Sequence, residues 1–153
     1  MKKTVILLFL FLPSLFFAER YGLGIIIGSP TGFSGKYLLF DKSAIEVNAG
    51  WSFWHTVGMH ATADYQYLFP GVIKDEEGRS LDYVVPYLGI GGRLKIYDTD
   101  DNETDFKIGL RLGGGVEYLV SRFGFFLELY PVVDIIPGTE FDFEGGLGAR
   151  LYF

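Results

Sequence analysis

From residue 20 to the end of the chain, apolar side chains recur at every second position, which is the period of a strand and not of a helix. Ile45, Val47, Ala49, Trp51 and Phe53 alternate with Glu46, Asn48, Gly50 and Ser52. Val57, Met59, Ala61, Ala63, Tyr65, Tyr67 and Phe69 then oppose His60, Thr62, Asp64 and Gln66. Further on, Phe106, Ile108, Leu110, Leu112, Val116 and Tyr118 oppose Lys107, Arg111 and Glu117. No stretch longer than a turn has helical periodicity. The pattern predicts an all-β protein.

Turn signals divide the 153 residues into eight strands, at roughly 20–28, 33–40, 44–54, 57–69, 83–97, 106–118, 123–135 and 141–153. The connections, "SPTG", "DKS", "HT", "PGVIKDEEGRSLD", "DTDDNETD", "LVSR" and "IPGTE", are rich in the residues that turns require. An even number of long strands joined mostly by short links predicts one domain, an eight-stranded antiparallel up-and-down barrel. Pro86 and Pro131 fall inside strand runs and are read as bulges near the rims.

The two faces of these strands differ in a way that decides which side is oily. One parity carries Lys36, Arg93, Lys95, Lys107, Arg111 and Arg150 with Glu46, Asp64, Glu117, Glu128, Asp134, Asp142 and Glu144, six bases against seven acids. His60 lies on it too. The face is thus nearly neutral within an acidic chain, as expected of charges that pair in a closed interior. Gly22, Gly24, Gly50, Gly89, Gly91, Gly109, Gly113, Gly115, Gly146 and Gly148 share that parity, and such gaps make room for long arginines and tyrosines across a narrow lumen. Aromatic residues gather near the strand ends: Trp51, Phe53, Trp54, Tyr97, Phe106 and Phe141 at one rim, Tyr67, Phe69, Tyr83, Tyr118, Phe123 and Phe153 at the other. Two aromatic belts, strands mostly of eight to thirteen residues and a polar interior predict a transmembrane barrel, not a soluble one.

The first eighteen residues stand apart. Lys2 and Lys3 precede a nearly unbroken apolar stretch, Thr4 to Phe17, and Ala18 comes before the charged pair Glu19 and Arg20. That layout predicts a cleavable signal peptide at 1–18 and a barrel at 19–153. The formal charge is −6 overall and −8 without Lys2 and Lys3, so nucleic acid is not an expected partner. The absence of cysteine excludes disulfides, thiolate catalysis and cysteine-ligated zinc.

With the signal peptide, the alternating strands, the "YLGIGGRL" strand and the final "GARLYF" on the page, the chain resembles the small eight-stranded outer-membrane barrels of the OmpA/OmpX type. The resemblance implies a bacterial outer-membrane location. It also implies that Leu147, Ala149, Leu151 and the terminal Phe153 act as the signal read by the barrel-assembly machinery. Expected partners are that machinery, periplasmic chaperones, outer-membrane lipids and lipopolysaccharide, with a monomeric barrel. The thirteen-residue link between the fourth and fifth strands departs from the pattern, because it falls on the periplasmic side, where turns are usually short.

Few residues carry chemistry. His60, Thr62 and Asp64 lie at alternate positions on the polar parity and faintly resemble the His-x-Ser of outer-membrane lipid A deacylases, although those groups face lipid and these face inward. The acidic segment at 98–105 resembles a calcium loop only superficially, since Glu103 stands where the sharp turn needs glycine. No cofactor, metal or catalytic residue is assigned. The reading is a non-enzymatic outer-membrane barrel with a lumen plugged by charged side chains, serving envelope integrity or surface contacts. The alternatives are a lipid-modifying enzyme and a narrow pore or small-ligand carrier.

Overall fold

The computed structural model describes residues 19–52 and 58–153. The expected signal peptide at 1–18, the belt residues Phe53 and Trp54 and the "HT" link lie outside the described residues. The elements are β1 (Tyr21–Gly28), β2 (Thr31–Phe40), β3 (Ser43–Ser52), β4 (Gly58–Leu68), β5 (Val84–Asp98), β6 (Thr104–Val120), β7 (Phe123–Ile136) and β8 (Glu140–Tyr152). Each pairs antiparallel with its sequence neighbour, and β1 pairs with β8 from Gly22↔Tyr152 to Gly28↔Gly146, so the sheet closes. The fold is a closed eight-stranded antiparallel barrel.

Alternation along each strand sends one parity out and the other in. On the outward parity the described strands carry no charged side chain except Asp98, the last residue of β5. Leu23, Ile25, Phe33, Val47, Leu88, Ile90, Leu110, Leu112, Leu127, Leu129, Phe143 and Leu147 are all exposed. The inside is the reverse, and the two largest fully buried side chains are Arg111 and Arg150. A monomer soluble in water rarely shows a contiguous apolar patch of more than a few hundred Å², and here the apolar surface runs round the whole barrel.

One end of the barrel, the terminal end, carries Tyr21, Phe153 and the links at 41–42, 69–83 and 121–122; the other, the distal end, carries the links at 29–30, 99–103 and 137–139. Rings cluster at the terminal end. Tyr21 packs on Tyr37 and Phe153, Tyr67 on Phe69, and Tyr83 on Tyr118, at centroid distances of 4.8, 6.4, 5.1 and 5.5 Å. Trp51, Phe106 and Phe141 lie exposed near the distal end. Tyr97 does not belong with them. It shares the inward parity of Arg93 and Lys95 and lines the barrel mouth.

Neither proline sits in a bulge. Pro86 pairs with Val116 without a register shift. Phe69 N–H donates to Pro86 C=O at 2.8 Å, which turns the proline nitrogen toward the end of β4, where one missing donor costs least. Opposite Pro131 the β6–β7 pairing lapses between Arg111↔Val132 and Gly114↔Leu129 and then resumes in the same register. The irregularities lie elsewhere, between Leu38 and Phe40 and between Ile108 and Gly109.

The wall is uneven. β1 to β4 have 8, 10, 10 and 11 residues, and β5 to β8 have 15, 17, 14 and 13. Because Gly146 already faces Gly28, the start of β8 rises past the end of β1 at the distal end. The long link at 69–83 folds on itself: Leu81 N–H donates to Ile73 C=O, and Lys74 bridges Ser80. There Asp75 accepts the backbone N–H of Arg79, the Arg79 Nε–H and the backbone N–H of Glu77, bonds that hold its carboxyl below the usual range.

Candidate functional site: the charged lumen

Every strand contributes an inward polar or glycine position, and the charged ones meet across the barrel axis. Near the terminal end, β2, β3, β6 and β8 converge. Lys36 Nζ donates to Glu117 Oε2 at 2.8 Å, and Tyr152 Oη donates to Glu117 Oε1 at 2.6 Å. Arg150 Nη2 lies 2.5 Å from Glu46 Oε2, and Arg150 Nε donates to Ser34 Oγ at 2.9 Å. Glu46 also accepts from Asn48 Nδ2 and Gln66 Nε2, each at 2.9 Å.

At mid-height Arg111 from β6 lies 2.9 Å from Asp64 Oδ1 and 2.8 Å from Glu144 Oε2, with Glu128 Oε1 at 3.7 Å. Above it Arg93 from β5 binds Asp134 through two nitrogens, at 2.9 and 2.6 Å, and reaches Asp142 at 2.9 Å and Glu144 at 2.5 Å. His60 Nε2 lies 3.0 Å from Glu144 Oε1. Bidentate guanidinium–carboxylate pairing of this kind fixes geometry as well as charge.

The structure therefore places Lys36, Glu46, His60, Asp64, Arg93, Arg111, Glu117, Glu128, Asp134, Glu144 and Arg150 in one buried interior. Lys95, Lys107 and Asp142 stand at its distal mouth and are partly exposed. Leu147, Ala149 and Leu151 line the outer face of β8, while Phe153 follows its end and exchanges backbone hydrogen bonds with Tyr21.

Sequence reasoning made room for tyrosines across the lumen but named none of the rings and paired none of them with a cation. Arg150 Cζ sits 3.6 Å from the Phe126 ring centre, Arg111 Cζ 4.0 Å from Tyr130, and Lys36 Nζ 4.6 Å from Tyr87. Three of the four buried cations thus have a ring face as well as carboxylates, which offsets part of their desolvation, while Arg93 relies on carboxylates. The glycines give these rings space. A Cβ on Gly115 would come within 2.7 Å of the Tyr87 hydroxyl, and one on Gly22 within 2.7 Å of the Tyr152 ring. A Cβ on Gly89 or Gly148 would collide with Tyr130 or Phe126 outright. The signal was there to read, since Phe126, Tyr130 and Val132 share the parity of Glu128 and Asp134.

The arrangement is chemically quiet. His60 and Thr62 are buried, and Thr62 Oγ1 lies 3.4 Å from the Asn48 amide nitrogen. Neither meets the outer apolar surface. Among the described residues no group of His, Cys, Asp and Glu is placed to hold a metal ion. Above the Arg93 cluster the lumen opens into a distal vestibule of about 340 Å³, lined by Lys95, Tyr97, Lys107, Glu140 and Asp142 with Arg93 and Asp134 at its floor.

Among solved structures, the crystal structure of the N-terminal β-barrel domain of OprF from Pseudomonas aeruginosa is similar to this chain, with a TM-score of 0.64 over 87% of this chain and 94% of that one, at 20% identity. At that identity the likeness is one of fold. No family model and no curated protein sequence matches the chain.

Proposed function

We propose that the chain is a non-enzymatic barrel of the bacterial outer membrane, monomeric, closed along its axis by paired charges, and serving envelope integrity or contacts at the cell surface. The observation that carries this reading is the inverted polarity of a closed barrel. The described outer band is free of charge apart from Asp98 at its edge, while four cations and six carboxylates are buried within. Lipid is the solvent in which that outside is stable, and the pairing of β1 with β8 joins the two edges of the sheet within it. Aromatic side chains near both ends suit the two interfaces.

Non-enzymatic action is supported by the burial of His60 and Thr62, which an acyl chain in the bilayer does not reach. The terminal pattern Leu147, Ala149, Leu151, Phe153 suits recognition by the barrel-assembly machinery, with periplasmic chaperones guarding the chain before it meets outer-membrane lipids and lipopolysaccharide. Refolded in detergent or lipid, residues 19–153 should give a β-type circular dichroism spectrum, migrate faster on a gel unboiled than boiled, and pass little steady current in planar bilayers. A stable monomer in plain buffer overturns the membrane reading. A large, long-lived open state overturns the sealed lumen.

A further inference from the structure

We propose that the distal vestibule is a binding site for a phosphate-type oxyanion, held between Lys95 and Lys107. The two lysines are direct cross-strand partners on β5 and β6, with Arg93 two positions below Lys95 on the same inward face. Like charges placed opposite each other across strands repel unless something between them carries the opposite sign. The carboxylates present do this unevenly. Asp134 and Asp142 are both bonded to Arg93. Lys107 Nζ has a carboxylate of its own, Glu140, at 2.6 Å.

Lys95 has none. Its nearest carboxylate oxygens, Glu144 Oε1 at 3.5 Å and Asp142 Oδ2 at 3.7 Å, are the same atoms that accept from Arg93, and both lie beyond hydrogen-bonding distance. Its side chain is nevertheless only 19% exposed, so water does not fully replace the missing partner.

A tetrahedral oxyanion supplies what is missing. It offers several acceptors at once, spans two neighbouring ammonium groups, and enters a vestibule whose volume of about 340 Å³ is ample for a phosphate monoester. Its entry costs little, because Glu140 is 62% exposed and returns to water when an incoming oxygen takes its place on Lys107. The buried cluster beneath makes the vestibule blind, so the anion is held and not conducted.

Two sources supply that chemistry, free phosphate in solution and a lipid headgroup, and only the headgroup source rests on the membrane reading. The test uses residues 19–153 refolded in neutral detergent, folding being verified by circular dichroism and gel mobility. Phosphorus NMR of added inorganic phosphate should show saturable broadening that weakens by about tenfold or more in Lys95→Gln/Lys107→Gln, and survives in Lys95→Arg/Lys107→Arg. Where the double variant does not fold, Lys95→Gln alone stands in for it. In a second arm, phosphatidic acid added to phosphatidylcholine vesicles should raise the unfolding temperature of the wild type more than that of the glutamine variant. Lysine-dependent response to inorganic phosphate assigns a soluble anion, and lysine-dependent response to phosphatidic acid alone assigns a headgroup. No response in either arm, or a response the glutamine variant keeps, overturns the site while leaving the barrel reading intact.

Discussion

Replacing Arg150 with methionine tests whether the lumen is held by its ion pairs or merely filled. The guanidinium is fully buried, lies 2.5 Å from Glu46, donates to Ser34 at 2.9 Å, sits 3.4 Å from Glu117, and stacks on Phe126 at 3.6 Å. Methionine fills much of the same volume without the charge. Glu117 keeps Lys36 and Tyr152, whereas Glu46 keeps only the amide donors of Asn48 and Gln66 and loses its ion-pair partner. Stranding a buried charge in this way costs about 3–5 kcal/mol, and the two remaining amides pull the expectation toward the lower bound. Loss of the ring contact returns about 1 kcal/mol to the cost, giving about 4 kcal/mol in all. Equilibrium urea unfolding in phosphatidylcholine vesicles, followed by tryptophan fluorescence, measures it. A cycle with Glu46→Gln should recover about 2 kcal/mol as coupling. As a control, Arg79→Ala removes an arginine with two carboxylate contacts of similar length, but its side chain is 71% exposed, so the loss should be no more than about 1 kcal/mol. If Arg150→Met costs as little as Arg79→Ala, or if the cycle is additive, the lumen is not stabilised by this pair.

On the outer face, Leu112→Arg places a cation in the middle of β6 and should cost about 2–4 kcal/mol in the same vesicles; a neutral result denies that Leu112 faces lipid. Gly89→Val drives a side chain into the position of the Tyr130 hydroxyl and should cost about 1–3 kcal/mol, part of it recovered when Tyr130→Phe removes that hydroxyl. Deleting Phe153 removes its stacking on Tyr21 and the two backbone hydrogen bonds it exchanges with Tyr21, while the ion pairs of Arg93, Arg111 and Arg150 stay in place, so membrane insertion in cells should fall more than refolding in detergent; equal losses reduce Phe153 to a packing residue. His60→Ala should lower the unfolding temperature and leave lipid A unchanged by mass spectrometry. An acylated species lost in the variant at unchanged stability favours the enzyme.

The strands were legible because a barrel wall has one strong rule, apolar on one parity and not on the other, repeated eight times. Every described strand end falls within two residues of its expected place, apart from the 53–57 segment. The prolines were misread for a local reason. A bulge is the usual way to seat a proline in a sheet, but at Pro86 the partner strand simply ends, and no property of the "VVPYL" segment itself reveals that. Tyr97 was misread because nearness to a strand end was weighed above parity, and parity sends it inward with Lys95.

Which charges share the interior was legible, but which charge bonds to which was not. Lys36 meets Glu117 across 81 positions of sequence, and Arg150 meets Ser34 across 116. These matches depend on the shear with which β8 closes on β1, and alternation carries no information about shear. The same limit explains the rings. A rule that the lumen is polar leaves Phe126 and Tyr130 without a place, yet Lys36, Arg111 and Arg150 each lie on a ring as well as beside a carboxylate. In a barrel this narrow the ring comes from the next strand, as Phe126 and Tyr130 of β7 do for Arg150 and Arg111, or from further round the wall, as Tyr87 does for Lys36, and it lies over a glycine. Carboxylate count is therefore a poor guide to which cation is satisfied. Arg93 is chelated by three acids, while Lys95, one inward step above it, has to share their oxygens. A nearly balanced parity thus conceals cations that are served unequally, and the one that has to share lies where the lumen opens and an outside anion can reach it.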